Sequence, residues 1–277
     1  MKRPAIAVVL ALVITALHAN GSELDVTPRL QETYVWCWIA VGQMLFEYYD
    51  VPNVNPAGDY QCGIVGLLAA GTWRQDCAYR CQNCTVPAGS ANGVIRMVED
   101  YPVRVAAVGG RRVPRLTATY VRNSLSATSI AREIDAGRPF IAGISPSGRP
   151  APWAASQHVA LVVGYRQDAR GAVWVLINDP YPFMQQNPYL AAGATRNGRG
   201  AYWIALESFV NYLNWRETIL VQKRGAIQAT PRGTRCCFMG PYGADSCPLN
   251  LSGPLPLGSQ CTCTYPNVWF AGRVCSP

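Results

Sequence analysis

The sequence is poor in lysine and histidine, with lysine only at Lys2 and Lys223 and histidine only at His18 and His158. The formal net charge of +8 therefore comes almost entirely from arginines that are scattered along the chain. No stretch resembles the basic stripe of a nucleic-acid-binding protein or a polybasic membrane patch. We expect no nucleic-acid partner.

Long apolar runs are also lacking, except at the N terminus. Residues 5–17 form an apolar run after Lys2 and Arg3, and small residues follow at 19–21. Because a spanning helix needs roughly 20 apolar residues, the run predicts a cleaved secretory signal peptide over residues 1–21 and not a membrane anchor. We expect a secreted or periplasmic protein that does not contact the membrane after cleavage.

Cysteine is abundant for an exported chain, and its eleven copies are unevenly distributed. Exported cysteines are mostly oxidised to disulfides, so two even groups can pair internally. The odd thiol is then either an intermolecular link or a free reactive group. The groups are four cysteines (Cys62, Cys77, Cys81, Cys84), six in the tail (Cys236, Cys237, Cys247, Cys261, Cys263, Cys275), and Cys37 alone.

The spacing of the cysteines within these groups limits how they can bond. The spacing of Cys77, Cys81 and Cys84 also fits a radical iron–sulfur site or, with Cys62, a four-thiolate zinc site. Such clusters need a reducing compartment, so two disulfides are favoured and we expect no metal or cofactor. The neighbouring Cys236 and Cys237 should each bridge to a different tail cysteine.

The apolar pattern changes from helical to strand-like along the chain. Helical spacing is found over 37–49, 62–70 and 90–99, whereas 158–165 and 172–178 have strand composition and are joined by a polar turn. Helices first and strands later predict an α+β fold.

The end of the chain differs in composition from the rest. From residue 225 onward glycine, proline and cysteine dominate, which predicts a small disulfide-rich C-terminal module. The predicted organisation is a signal peptide (1–21), an α+β domain (22–224) and this module (225–277).

Cys37 has the setting of a nucleophile. It opens a predicted helix, where the helix dipole and the unpaired N–H groups favour a thiolate. Gln31, six residues earlier, is placed to donate from its side-chain amide to a developing oxyanion. A cysteine nucleophile also needs a base within hydrogen-bond reach.

Only one histidine can be that base. Signal cleavage removes His18, which leaves His158 at the start of one predicted strand. Asp179 follows the neighbouring strand, so pairing of the two strands brings both side chains to the same end. Taken singly, a buried thiol, a hydrogen-bonded histidine and a turn aspartate are ordinary structural features. Their combination with an odd cysteine favours catalysis.

These motifs resemble those of papain-like cysteine peptidases. The stretch from Gln31 to Trp38 contains a glutamine, five intervening residues, the cysteine and a tryptophan. Residues 157–165 and 176–180 are similar to the histidine and acid motifs of the bacterial branch, which includes staphopains, bacteriocin-leader peptidases and papain-like effectors of plant pathogens. The resemblance covers roughly residues 30–221.

The resemblance implies a helical half packed on an antiparallel sheet, with the cleft between them. It implies Gln31 as oxyanion donor, Cys37 as nucleophile, His158 as general base and acid, and Asp179 as the orienting acid. Plant papains use asparagine as third member, and Asn178 is adjacent, but neighbouring strand residues face opposite ways and the bacterial pattern favours Asp179. Because few residues separate the predicted signal-peptide end from Gln31, we expect no long inhibitory prosegment of the kind found in classical papains.

The implied activity is endopeptidase hydrolysis of a protein or peptide through a thioester. Two alternatives stay open: a transglutaminase-like acyltransferase with the same triad, and a catalytically inactive papain-like binding or toxin module. The C-terminal module is expected to bind a separate partner or inhibitor.

Overall fold

The computed structural model describes residues 21–55, 57–69, 81–109, 111–147, 156–184 and 186–227, and in the tail 232–233, 235–240, 243–249, 255–256, 260–265 and 268–275. The apolar N-terminal run and Cys77 lie outside the described residues. None of the helices in this described portion is both long and apolar enough to cross a membrane.

The helices lie mainly in the first half of the chain, as predicted. In chain order, the helices of the described residues are α1 (Cys37–Tyr48), α2 (Tyr60–Ala69), α3 (Ala91–Gly109), α4 (Ala127–Asp135), α5 (Pro188–Ala191) and α6 (Leu206–Asn211). Cys81–Asn83 forms a 3₁₀ turn between α2 and α3.

The main sheet has eight strands: β1 (Gly21–Glu23), β2 (Val113–Arg122), β3 (Phe140–Ile144), β4 (His158–Gln167), β5 (Val173–Asn178), β6 (Thr195–Arg196), β7 (Ala201–Ala205) and β8 (Glu217–Ile227). Their order in the sheet is β2-β8-β3-β4-β5-β7-β6, with β1 also paired to β4. Every pair is antiparallel. The mixed helical and antiparallel-sheet class is therefore confirmed.

Two strands extend to or beyond the boundaries taken from the sequence. β1 begins at Gly21, the last residue assigned to the signal peptide, and pairs there with Arg166. β8 continues to Ile227, which pairs with Val113, although the predicted tail starts at residue 225.

Apolar side chains cover both faces of the sheet. Along β4, Val159, Leu161 and Val163 belong to the core beneath helices α1–α3. The alternate residues Ala160 and Val162 belong to a second core that includes side chains of α4 and α6. Because successive residues of a strand face opposite sides, burial of both faces explains why β4 is an unbroken apolar run.

The β4–β5 hairpin brings two predicted site positions to one end of the sheet. Gly171 in its turn has a φ of 84°, a left-handed conformation that favours glycine. Asp168 accepts the N–H groups of Arg170 and Ala172, 2.9 Å each, which stabilises the turn. Since His158 starts β4 and Asp179 follows β5, both lie at the end of the hairpin that is opposite its turn.

Helix α3 is ten residues longer at its C-terminal end than the segment predicted to end at Glu99. Pro102 lies inside it and normally breaks or kinks a helix, because it lacks an N–H donor. The buried side chains of Val98, Tyr101 and Val105 continue the apolar face past the proline. Tertiary burial outweighs the local penalty here.

The tail contains more regular structure than its composition indicates. Its described strands are β9 (Arg232–Gly233), β10 (Arg235–Gly240), β11 (Gly243–Pro248), β12 (Leu255–Pro256), β13 (Gln260–Tyr265) and β14 (Val268–Cys275). Four of them form an antiparallel sheet in the order β11-β10-β14-β13.

Three disulfides join the tail strands. They link Cys236 to Cys261, Cys237 to Cys275 and Cys247 to Cys263. The neighbouring Cys236 and Cys237 therefore bridge to different partners, as predicted.

Candidate active site

Cys37 is the first residue of α1 and, in the described part of the chain, the free cysteine. Trp36, which precedes it, makes no side-chain capping hydrogen bond. The first-turn N–H groups of a helix have no partner within the helix, and they carry the positive end of its dipole. The sulfur therefore lies where a negative charge is stabilised.

Two tryptophans fix the chain on either side of Cys37. Trp36 donates from Nε1 to the Cys84 carbonyl at 2.7 Å, and Trp38 donates to the Val86 carbonyl at 3.1 Å. Residues 84–86 are thereby held beside the start of α1. The next residues, 87–90, line the cleft that Cys37 faces.

Disulfides of the first cysteine group lie close in sequence to the cleft residues 87–90. Cys62 of α2 is bonded to Cys81, and Cys84 is also in a disulfide. These bonds agree with the interpretation of the group as a disulfide framework, which the sequence favours over a zinc or iron–sulfur site. Cys77 lies outside the described residues.

His158 contacts both Cys37 and Asp179. Its Nε2 lies 2.8 Å from Asp179 Oδ1, and its ring lies beside the Cys37 thiol, close enough for each group to shift the pKa of the other. Since Nε2 is engaged by the carboxylate, Nδ1 is the nitrogen left for the sulfur. Asn178 faces the other way and donates to the Val26 carbonyl at 2.8 Å. Asp179, and not Asn178, is therefore the neighbour of the imidazole.

The carboxylate of Asp179 has two further hydrogen-bond donors. The Tyr181 N–H donates to Oδ1 at 2.8 Å, and the Tyr189 hydroxyl donates to Oδ2 at 2.7 Å. Tyr189 is fully buried and stacks on Tyr202 with ring centroids 4.6 Å apart. Sequence reasoning missed both tyrosines.

A local signal did exist for the element that carries Tyr189. Asn187 caps α5 by accepting the N–H groups of Tyr189 and Leu190, and Pro188 follows at the first helical position. An asparagine–proline pair of this kind predicts a helix start. It predicts no contact with Asp179.

Burial and the neighbouring charges shift the pKa values of Cys37 and His158 in opposite directions. Burial raises the pKa of the Cys37 thiol, but the His158 charge and hydrogen bond, with a smaller contribution from the Val159 backbone, make the net direction downward. Burial lowers the pKa of His158, and the charges of Asp179 and Cys37 outweigh it, so this pKa is well above the ordinary value. The arrangement favours a thiolate–imidazolium pair.

Gln31 is tied to the acid segment through its backbone. Its N–H donates to the Pro180 carbonyl at 2.9 Å, and Gln61 of α2 accepts the Glu32 N–H and donates to the Leu30 carbonyl. The Gln31 side chain donates from Nε2 to the Thr33 carbonyl at 2.8 Å, and its buried Oε1 has no partner among the described residues. Gln31 is not among the described residues that line the cleft.

The cleft at Cys37 has a volume of about 1290 Å³, between the start of α1 and the ends of the strands. His158 and Trp38 line it with Cys37. Of the seven exposed large apolar side chains in the described residues, five also line it, which makes this face suited to an extended polypeptide. They are Tyr34, Tyr181, Met184, Leu190 and Tyr212.

A comparison with protein-family models finds a match to the Peptidase_C39 like family over residues 23–208. The chain belongs to this family. Gln31, Cys37, His158 and Asp179 all lie inside the matched residues, and the C-terminal tail lies outside them. No curated protein matches the chain.

Membership in the Peptidase_C39 like family identifies a cysteine peptidase of the papain-like kind. It implies protein or peptide substrates. The helices that pack on an antiparallel sheet are consistent with this family.

Proposed function

We propose that the protein is an exported cysteine endopeptidase of the bacterial papain-like branch, with Cys37 as nucleophile, His158 as base and acid, and Asp179 as the residue that orients the imidazole. The observation that carries the proposal is the continuous chain of contacts from the Cys37 sulfur through His158 to Asp179, at the floor of a cleft. The cysteine count supports the proposal, because Cys37 is a free thiol whereas Cys62 and Cys81, which follow it in the sequence, are joined in a disulfide.

In the proposed reaction, the Cys37 thiolate attacks the scissile carbonyl carbon and the carbonyl π electrons move to oxygen. N–H groups at the start of α1 stabilise the oxyanion. His158 then donates its Nδ1 proton to the leaving amine as the C–N bond breaks, which leaves a thioester. Neutral His158 removes a proton from water, and the hydroxide releases the acid and regenerates the thiolate.

Gln31 is proposed as the second oxyanion donor. Its Nε2 has one hydrogen engaged by the Thr33 carbonyl, so the other is available, and its backbone is held to Pro180 beside the acid. The role requires the side chain to turn toward the cleft when substrate binds.

Export is proposed from the N-terminal apolar run together with the disulfides. The bonds Cys62–Cys81, Cys236–Cys261, Cys237–Cys275 and Cys247–Cys263 are expected to form in an oxidising compartment and not in a reducing cytoplasm.

The tail is proposed as an accessory binding module that is not part of the chemistry. Truncation after Ile227, where β8 ends, should leave turnover of a small peptide largely intact. Loss of Cys37 alkylation in the truncated protein would instead make the tail part of the catalytic domain.

The test of the proposed function is a comparison of new protein N-termini in an extract treated with the wild-type protein or with Cys37→Ala. Peptide hydrolysis predicts N-termini that arise only with the wild type. A labelled alkylamine is included, because incorporation of the amine without new N-termini would indicate the acyltransferase. If neither product forms although Cys37 is alkylated, endopeptidase activity on the proteins of that extract is rejected.

A further inference from the structure

A buried carboxylate lines the same cleft as Cys37 and is not used in the reaction above. Glu217 is the first residue of β8, and only 6% of it is exposed. Glutamate is almost never fully buried without a partner. Burial of this carboxylate at the edge of a peptide-sized cleft therefore suggests that it binds a group in the cleft.

The protein provides space for this side chain. Gly143 of β3 is the cross-strand partner of Glu217. A Cβ atom at Gly143 would lie 2.3 Å from Glu217 Cγ and 2.6 Å from Oε1, so any larger residue would displace the carboxylate. Both residues line the cleft, with Ser156 beside them.

Two hydroxyl groups interact with the acid. Ser156 donates from Oγ to Glu217 Oε1. Burial and the nearby Glu217 carboxylate together raise the pKa of Tyr120. Hydroxyls orient a carboxylate but do not neutralise its charge.

No lysine or arginine of the described residues forms an ion pair with Glu217, and Arg122, its cross-strand neighbour on β2, is exposed. The surrounding cleft wall is apolar at Ile141 and Ile219. A carboxylate beside apolar wall residues fits a side chain that is long, aliphatic along its stem and cationic at its tip.

We propose that Glu217 binds an arginine or lysine side chain of the substrate, so that the peptidase selects polypeptides with a basic residue close to the cleaved bond. This inference rests on the proposed function, since it assigns a specificity to that cleft. Arginine is the better fit, because its planar guanidinium makes paired hydrogen bonds with a carboxylate. Loss of such a charged hydrogen bond in a closed site corresponds to a change of about tenfold to a hundredfold in rate.

The experiment uses peptidyl chloromethyl ketones in matched pairs that differ only in arginine or its neutral isostere citrulline. The pair is placed in turn at the first, second and third residue before the reactive group. The rate of Cys37 alkylation is measured by mass spectrometry and divided by the rate with iodoacetamide for the same variant. This ratio corrects for any change in the thiolate itself.

The wild type should prefer arginine over citrulline at one position by about tenfold or more, and Glu217→Gln should reduce the preference to less than about twofold. The matched control is Glu207→Gln, an exposed acid on α6 that does not line the cleft and that should keep the wild-type preference. Equal rates at all three positions in the wild type would overturn the inference, as would a preference that persists in Glu217→Gln.

Alkylation does not require hydrolysis, so this experiment separates the two proposals. A protein that prefers the arginine reagent but cleaves no peptide would keep the basic-residue site and lose the proposed activity. Cleavage of peptides without any arginine preference would remove only the role of Glu217.

Discussion

Replacement of Tyr189 by phenylalanine tests whether Asp179 needs its second hydrogen-bond donor. The Tyr189 hydroxyl lies 2.7 Å from Asp179 Oδ2, and the two residues are 0% and 1% exposed. Phenylalanine removes the hydroxyl and leaves the ring in place, so Oδ2 loses its partner in a site that water does not reach. A hydrogen bond to a charged group contributes about 1.5–3 kcal/mol, and an unsatisfied buried acceptor adds to the cost.

The free energy of this hydrogen bond also sets the expected effect on turnover. If the lower end of the range is lost from the orientation of His158, kcat/KM falls about tenfold. Alkylation of Cys37 by iodoacetamide should fall less, because the thiolate depends on the imidazole charge more than on its orientation during proton transfer. The assays are peptide turnover, alkylation and urea unfolding of the full chain.

Tyr202→Phe is the matched control. Tyr202 stacks on Tyr189 and its hydroxyl accepts from Asn187 at 2.8 Å, whereas the described side-chain hydrogen bonds to Asp179 come from other residues. The control loses one hydroxyl from the same aromatic pair and should keep turnover close to the wild type. If both variants lose turnover and stability equally, or neither does, the Tyr189 hydroxyl does not act through Asp179.

Two further predictions concern the Cys62–Cys81 disulfide and the carboxyl group of Glu32. Replacing Cys62 and Cys81 together by alanine should lower the free energy of unfolding by about 3 kcal/mol, the loop-closure value for a separation of 19 residues, as measured by urea unfolding; no loss would contradict it. The tail pair Cys247 and Cys263, with a separation of 16, is the control, and its removal should leave Cys37 alkylation unchanged. Burial and the nearby Asp59 raise the pKa of Glu32 to about 7. This neutral carboxyl stabilises the fold below the unfolded pKa of about 4.3, and the contribution is lost as pH rises through 7, so the melting temperature of Glu32→Gln should change less between about pH 5 and 8 than that of the wild type; equal slopes would refute the shift.

The parts of the site that could be predicted are those with local signals. Cys37 follows an aromatic residue at a helix start, and the unpaired thiol is visible from cysteine counting alone. His158 and Asp179 lie at strand ends of one hairpin, so strand pairing was sufficient to bring them together. The expectation that Asn178 and Asp179 face opposite ways needed only the two-residue repeat of a strand.

The contacts that escaped prediction depend on register or on tertiary burial. Glu217 meets Gly143 because β8 pairs with β3 at one particular register, and no local pattern in either segment specifies it. Tyr189 reaches Asp179 from a four-residue helix within irregular chain. Helix α3 continues past Pro102 because its buried face does, which is a tertiary effect.

The tail shows a different limit. Its strands contain cysteine where other sheets have aliphatic residues, and three disulfides join them. Covalent links replace much of the hydrophobic alternation by which a strand is recognised. Composition was therefore sufficient to predict the disulfides but not the four-stranded sheet.

His158 is proposed to keep Cys37 as a thiolate, and this can be measured from the pH dependence of Cys37 alkylation by iodoacetamide. Without reductant the wild type should take up one label, at Cys37, with a midpoint below the pKa of about 8.5 of a free thiol. His158→Ala should raise the midpoint, because the imidazole charge and hydrogen bond, which oppose the effect of burial on the pKa of the thiol, are then removed. Asp179→Ala should reduce turnover more than alkylation. A wild-type midpoint at or above that of a free cysteine, unchanged in His158→Ala, would mean that His158 does not activate Cys37.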